Sequence, residues 1–234
     1  MLYGTSAEVG NVIEFQNVSL GYSGDDLLTD VSLTLAPGSF HFLTGPSGAG
    51  KTSLIKLCYG ELMARAGRVE VFGQDLGAMT RDDIARMRRR IGIVHQDCQF
   101  LDHLPVDENV ALPLHAAGED HDPGALRELL AWVGLAGLAG ARPPSLSGGE
   151  RQRAALARAV IASPDIVLAD EPTGNVDWDM SLRLLRLLTE LNRMGKTILV
   201  ATHDLNLIRA AKAQTATRVL RISGRKLQLA GADL

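Results

Sequence analysis

The sequence predicts an α/β fold with a buried parallel sheet, and three observations carry that expectation. The octapeptide Gly45-Pro46-Ser47-Gly48-Ala49-Gly50-Lys51-Thr52 satisfies the phosphate-binding pattern G-x-x-x-x-G-K-[ST] at every fixed position. It lies between an apolar stretch at residues 40–43 and a helical pattern at residues 52–57, the strand–loop–helix setting in which that pattern works. Residues 91–94, 166–169 and 197–201 are short continuous apolar runs, as expected of parallel strands buried on both faces.

The remaining elements follow in chain order. Residues 12–18 alternate apolar and polar like a half-buried strand, and residues 31–35 repeat the pattern before the turn signal Pro37-Gly38. Residues 67–73 form another short strand bounded by glycines. Together these predict a small, mostly antiparallel N-terminal sheet packed on the core. From about residue 99 to 162 strand character is low. Leu and Ala dominate there, punctuated by Pro105, Pro113, Pro123, Pro143 and Pro144, so the stretch reads as an inserted helical lobe. Leu182, Leu184, Leu185, Leu187 and Leu188 form the core-facing stripe of a later helix. The expectation is one domain over residues 1–234, with the helical part at about 99–162.

Bulk properties exclude several classes. With a formal net charge of −3 and 22% charged residues, the chain has no polyanion-binding character, and nucleic acid is not an expected partner. Residues 1–5 lack the basic-then-apolar pattern of a leader, so no signal peptide is expected. No apolar run reaches the roughly 18 residues that span a bilayer, so any membrane connection is expected through a partner. Cys58 and Cys98 have no metal-ligand or redox spacing and suit a reduced cytosolic setting. His95, His103, His115 and His121 show no ligand spacing either, and Arg86, Arg88, Arg89 and Arg90 read as a solvated helix end.

The chemistry starts at the phosphate loop. Gly45 through Gly50 let the backbone curl so that successive N–H groups face one anion, and the helix opening at Lys51, Thr52 and Ser53 turns its positive end the same way. Lys51 brings a full charge to the β- and γ-phosphates of a nucleotide, and the Thr52 hydroxyl suits Mg²⁺. Downstream, the run ending in Asp170-Glu171 brings one carboxylate to the metal and a second towards the γ-phosphate, where it can polarise water. To this point kinases, GTPases and motor ATPases all remain open.

Leu146-Ser147-Gly148-Gly149-Glu150, followed by the basic, Ala-rich stretch from Arg151 to Ala159, narrows the choice. Here the chain resembles the ATP-binding-cassette family, whose signature is LSGGQ or LSGGE before such a helix. The resemblance covers about residues 13–225. It implies an ABC-type fold: a RecA-like core of mixed, mainly parallel sheet, an N-terminal antiparallel subdomain and an inserted α-helical subdomain. It also implies Mg²⁺-dependent ATP hydrolysis in a homodimer. Ser147, Gly148, Gly149 and Glu150 would then face the γ-phosphate held by the opposite subunit. Glu171 would be the catalytic base, His203 would contact the γ-phosphate and orient the water, and Gln96 would approach Mg²⁺ beside Thr52 and Asp170. Asp177, in Gly174-Asn175-Val176-Asp177, would link the two sites. Tyr22, in Gly21-Tyr22-Ser23-Gly24, would stack on adenine.

Within the family the resemblance is to subunits that serve bacterial cell division, carried by residues 42–52, 91–97, 108–114 and 168–177. It implies a polytopic membrane subunit as partner and a place at the cytoplasmic face of the inner membrane. His95, where an aromatic residue is usual, and Trp178, where proline is common, depart from the pattern. An ATPase subunit of a lipoprotein-release or macrolide-export transporter is the competing reading. A soluble cassette acting on DNA or ribosomes would need a coiled-coil insertion or a second cassette, and a kinase or GTPase would leave residues 146–150 without a role.

Overall fold

The computed structural model describes residues 10–22, 25–120, 122–174 and 176–230. Residues 1–9 and 231–234, with Ser23, Gly24, His121 and Asn175, lie outside them. Two sheets form the frame. Strands β1 (Ile13–Tyr22), β2 (Asp25–Leu35), β4 (Ala66–Val71) and β5 (Gln74–Asp75) make an antiparallel sheet in the order β2-β1-β4-β5. The second sheet has the order β10-β9-β3-β8-β7-β6, from β3 (Phe40–Thr44), β6 (Ile91–Val94), β7 (Ile166–Asp170), β8 (Thr197–Ala201), β9 (Thr217–Ser223) and β10 (Lys226–Leu229). All its pairings are parallel except that of β10 with β9.

Strands β3, β7 and β8 are buried at every position, which is why they read as unbroken apolar runs. Their two-residue period divides the core in two. Leu43, Ile166, Leu168, Leu199 and Ala201 join the cluster shared with the antiparallel sheet. Phe40, Phe42, Val167, Ala169, Ile198 and Val200 face the helices α6 (Trp178–Arg193) and α7 (Leu205–Lys212) instead. Each fully buried Leu, Ile or Phe contributes roughly 1.5–3 kcal/mol by leaving water. The hairpin of β9 and β10 was not among the expected strands; it closes the sheet beside β3.

The helices α3 (Val106–Ala117), α4 (Pro123–Trp132) and α5 (Gly148–Val160) occupy the stretch read as a helical lobe. Helix α5 belongs to two cores at once. Ala154 and Ala157 pack into the lobe, while Ala155, Leu156 and Ala159 pack on the sheet. Its alanines permit that double contact, and Gly92 on β6 completes it. A Cβ at Gly92 would lie 2.1 Å from the Ala159 carbonyl oxygen, so only glycine lets α5 cross there. The fully buried Asn109 carboxamide pins the connection after β6 by accepting from the Leu101 N–H at 2.8 Å and donating to the Leu104 carbonyl at 3.0 Å.

Helix α2 (Arg81–Arg89) carries the arginine run, and it is tied down more than a solvated end would be. Arg88 donates to the carbonyls of Tyr59 and Gly60. Arg90 pairs with Asp165 at 2.7 Å and lies over the Phe72 ring.

Candidate functional site

A cleft of about 750 Å³ opens at the C-terminal ends of β3, β6, β7 and β8, where the loops of a parallel sheet converge. Tyr22, Ser47 to Ser53, Gln96, Asp170, Glu171 and His203 all line it. Its floor is the phosphate loop. Gly48 and Gly50 take positive φ values of 74° and 105°, turning their N–H groups inward. Helix α1 (Lys51–Cys58) starts there with Gly50 as N-cap, without a side-chain cap and without an acidic residue in its first turn. Its orphan N–H groups are open to an anion. The loop is fixed from the side by β9, because a Cβ on Gly45 would meet the Ile222 carbonyl at 3.0 Å.

The buried Lys51 ammonium donates to the Gly45 carbonyl at 2.9 Å and lies 3.5 Å from Glu171 Oε1. The other Glu171 oxygen is 3.0 Å from Nδ1 of the mostly exposed His203. Glu171 adopts φ of +45°, a left-handed conformation costing roughly 1–2 kcal/mol in a residue with a Cβ. It is held so by its N–H on the Ala201 carbonyl, 2.9 Å, and by its own carbonyl accepting from Gly174, 3.1 Å. The kink at the end of β7 swings the carboxylate between lysine and histidine. Asp170, one residue earlier, stays buried. Burial pushes its carboxyl above the ordinary range, the Glu171 charge adds to that, and the Thr52 hydroxyl hydrogen-bonds it and opposes the shift. Its Oδ1 is buried without a hydrogen-bond partner among the described residues. An orphaned carboxylate oxygen beside a hydroxyl and the carboxamide of Gln96 is the hard-oxygen set that suits Mg²⁺, so these residues fit the ion.

Tyr22 is half-exposed at the mouth of the cleft, and its Oη lies 3.1 Å from Ser53 Oγ, which tethers the ring to α1. Leu27, which sequence reasoning missed, forms the apolar wall beside it. The two departures from the family pattern, His95 and Trp178, do not line the cleft. The His95 ring stands edge-on to Tyr59 at 6.2 Å, and burial, with Arg158 adding, holds its pKa below the usual histidine value. Trp178 opens α6 and is largely exposed.

The other predicted site residues lie elsewhere. Ser147, Gly148, Gly149, Glu150 and Asp177 do not line the cleft. They form a second patch, where a Cβ on Gly149 would lie 3.5 Å from Met180 and 3.7 Å from Val176. Asp177 caps α6 by accepting from the Met180 N–H at 2.8 Å. Ser147 caps α5 in a reciprocal box: Glu150 accepts from the Ser147 N–H at 2.7 Å and from its hydroxyl at 2.8 Å. The Glu150 carboxylate therefore stands at the anion-facing end of its own helix, and those bonds lower its pKa.

Comparison with known proteins fits this geometry. Residues 28–174 match a family model described as ABC transporter. A cell division ATP-binding protein FtsE from Haemophilus influenzae is 45% identical, over 84% of this chain and 92% of its own length. Its Bacillus subtilis counterpart is 39% identical, over 86% and 90%. Among solved structures, the dimeric post-hydrolysis state of the ATP-binding cassette MJ0796 bound to ADP and Pi superposes with a TM-score of 0.83. It shares 29% identity and covers 92% of this chain and 96% of that one.

Proposed function

The chain belongs to the ABC transporter family, beside the FtsE cell-division proteins, and from that premise we propose that it is the ATP-hydrolysing subunit of an FtsEX-like membrane complex. In this reading residues 1–234 are one ABC ATPase domain with its helical subdomain at about 99–162. Two copies meet head to tail about a two-fold axis, so that each cleft is covered by the other's Ser147–Glu150 and Asp177 patch. The observation that supports this most is the separation of the two residue sets within one chain. Neither set alone encloses a triphosphate, and both are already ordered for their parts.

The loop N–H groups and Lys51 bind the β- and γ-phosphates of ATP, while Tyr22 and Leu27 flank its base. A phosphate entering the loop competes with the Glu171 carboxylate for the Lys51 ammonium, which frees Glu171 to accept a proton from water. His203 holds the second Glu171 oxygen and orients that carboxylate. Thr52, Asp170 and Gln96 would hold Mg²⁺, which when bound neutralises phosphate charge and fixes the phosphate geometry. The start of α5 in the partner copy directs N–H groups at the γ-phosphate, the part an arginine finger takes in other nucleotidases. ATP thus favours the closed pair, and hydrolysis releases it.

Among the described residues no helix is long and apolar enough to cross a membrane. In this reading attachment to the inner face of the cell membrane runs through an FtsX-like polytopic subunit. The task of the complex is control of cell-wall hydrolysis at division. Glu171→Gln tests the engine: ATP should bind, turnover should fall at least about a hundredfold, and a dimer should persist in ATP. A variant at wild-type rate contradicts the assignment of Glu171. Affinity capture from native membranes tests the task, since recovery of a lipoprotein-release or macrolide-export permease would replace cell division with transport.

A further inference from the structure

The two parts of the trans patch come from different elements, one from the start of α5 and the other from the loop before α6. Something must hold them in one geometry if both are to meet the same γ-phosphate. Met180 meets one residue of each: its backbone N–H, donating to Asp177 Oδ1 at 2.8 Å, seats Asp177 on α6, and its side-chain Cγ and Cε each lie 3.5 Å from where a Cβ on Gly149 would stand. Its Sδ accepts from Arg153 Nη1 at 3.0 Å.

The Arg153 contact is chemically unusual. Arg153 is half-buried, and a guanidinium that gives up part of its water ordinarily meets carboxylates or several carbonyls. Here the donor faces a thioether, which is a weak, polarisable acceptor, while Arg153 Nε is buried with no hydrogen-bond partner among the described residues. The contact ties the start of α5 to the start of α6 through one side chain.

We propose that Met180, backed by Arg153, is a positioning residue for ATP hydrolysis in the opposite subunit, locking Gly149 and Asp177 into one rigid unit. The inference rests on the two-copy reading above. Its consequence is a specific separation of effects. Nucleotide binding by a single copy uses only the cleft, which Met180 does not line. Turnover and ATP-driven pairing use the patch.

Met180→Ala should lower kcat about ten- to hundredfold, the range for a displacement of about an ångström at a reacting centre. The affinity of single copies for a fluorescent ATP analogue should stay within about twofold of wild type, since the cleft is untouched. In the Glu171→Gln background, ATP-driven dimerisation should need correspondingly more protein. Met180→Leu, which keeps the bulk against Gly149, should recover most of the loss. Adding Arg153→Ala to Met180→Ala should cost little more, because Arg153 acts through Met180. Should Met180→Ala not fold, Arg153→Ala carries the same separation. Wild-type kcat and dimerisation in Met180→Ala overturn the proposal, as does an equal loss of nucleotide affinity and of Tm, which marks general weakening. If Glu171→Gln alone stays monomeric with ATP, the two-copy reading fails and takes this one with it.

Discussion

Helices α1 and α5 both begin at a glycine-rich turn and both point an N-terminus at a surface, yet they are finished in opposite ways. Helix α1 starts at left-handed Gly50 with no side-chain cap and no acid in its first turn. Helix α5 starts at Ser147 in a full capping box, with the Glu150 carboxylate on the Ser147 N–H and hydroxyl. The first end has bare donors, with β9 packed against Gly45 and Glu171 beside the Lys51 ammonium. The second satisfies its donors internally, at a benefit of roughly 1 kcal/mol for the cap. A bare end is pre-organised to bind; a capped end must exchange its own anion for an incoming one. That difference suits a binding half and a sensing half of one composite site.

The largest way to break the comparison is to remove charge from each end in turn. Lys51→Ala should weaken ATP binding to single copies about a hundredfold, since a buried charge-assisted contact of roughly 2–3 kcal/mol disappears. Ser147→Ala should leave that affinity unchanged and lower kcat about tenfold or more. Titration of a fluorescent nucleotide and steady-state ATPase assays separate the two, and equal losses of affinity would erase the distinction.

Acid should weaken the two ends in different pH windows. His41 lies buried near the start of β3, the strand that leads into the phosphate loop, and burial, with Arg218 adding, pushes its pKa from 6.5 down to about 4. The folded chain favours the neutral ring, so stability is complete above about 6.5 and is lost as pH falls from there towards 4. The loss amounts to about 3 kcal/mol at full protonation. Glu150 has the same sign in a lower window: its lowered pKa contributes stability above 4.5 that disappears only below it. Tm measured from pH 7.5 to 4 should decline through the His41 window, and His41→Val should flatten that decline without touching the acid limb.

The placement of α5 can be perturbed without touching any donor. Gly92→Ala forces a methyl group into the Ala159 carbonyl and should cost about 1–3 kcal/mol by thermal unfolding. The smallest effect is expected from Glu150→Gln, which can still close the box and should shift stability by less than about 1 kcal/mol.

Much of this was legible in the chain. Strands β3, β7 and β8 could be read because burial on both faces leaves no room for polar residues, and the phosphate loop because its glycines and Lys51 admit few substitutes. The β9–β10 hairpin escaped because Thr217, Arg218, Arg221 and Ser223 interrupt its apolar positions and the only turn signal is Gly224. The box of Ser147 and Glu150 was written in the sequence as S-x-x-E, but the phosphate-facing reading of the same residues hid it. Met180 could not be seen at all. A methionine three residues into a helix looks like core filling, and only the fold brings Arg153 to its sulfur and Gly149 to its methyl group.

One mixing experiment tests most directly whether the site is completed by a second copy. Lys51→Ala and Ser147→Ala chains are each assayed alone and then combined in equal amounts. Random pairing gives half heterodimers, each with one intact composite site of two, so ATPase should rise to about a quarter of the wild-type rate. A mixture that stays at the mean of its two parents would mean that each chain hydrolyses ATP within its own cleft, contradicting the account.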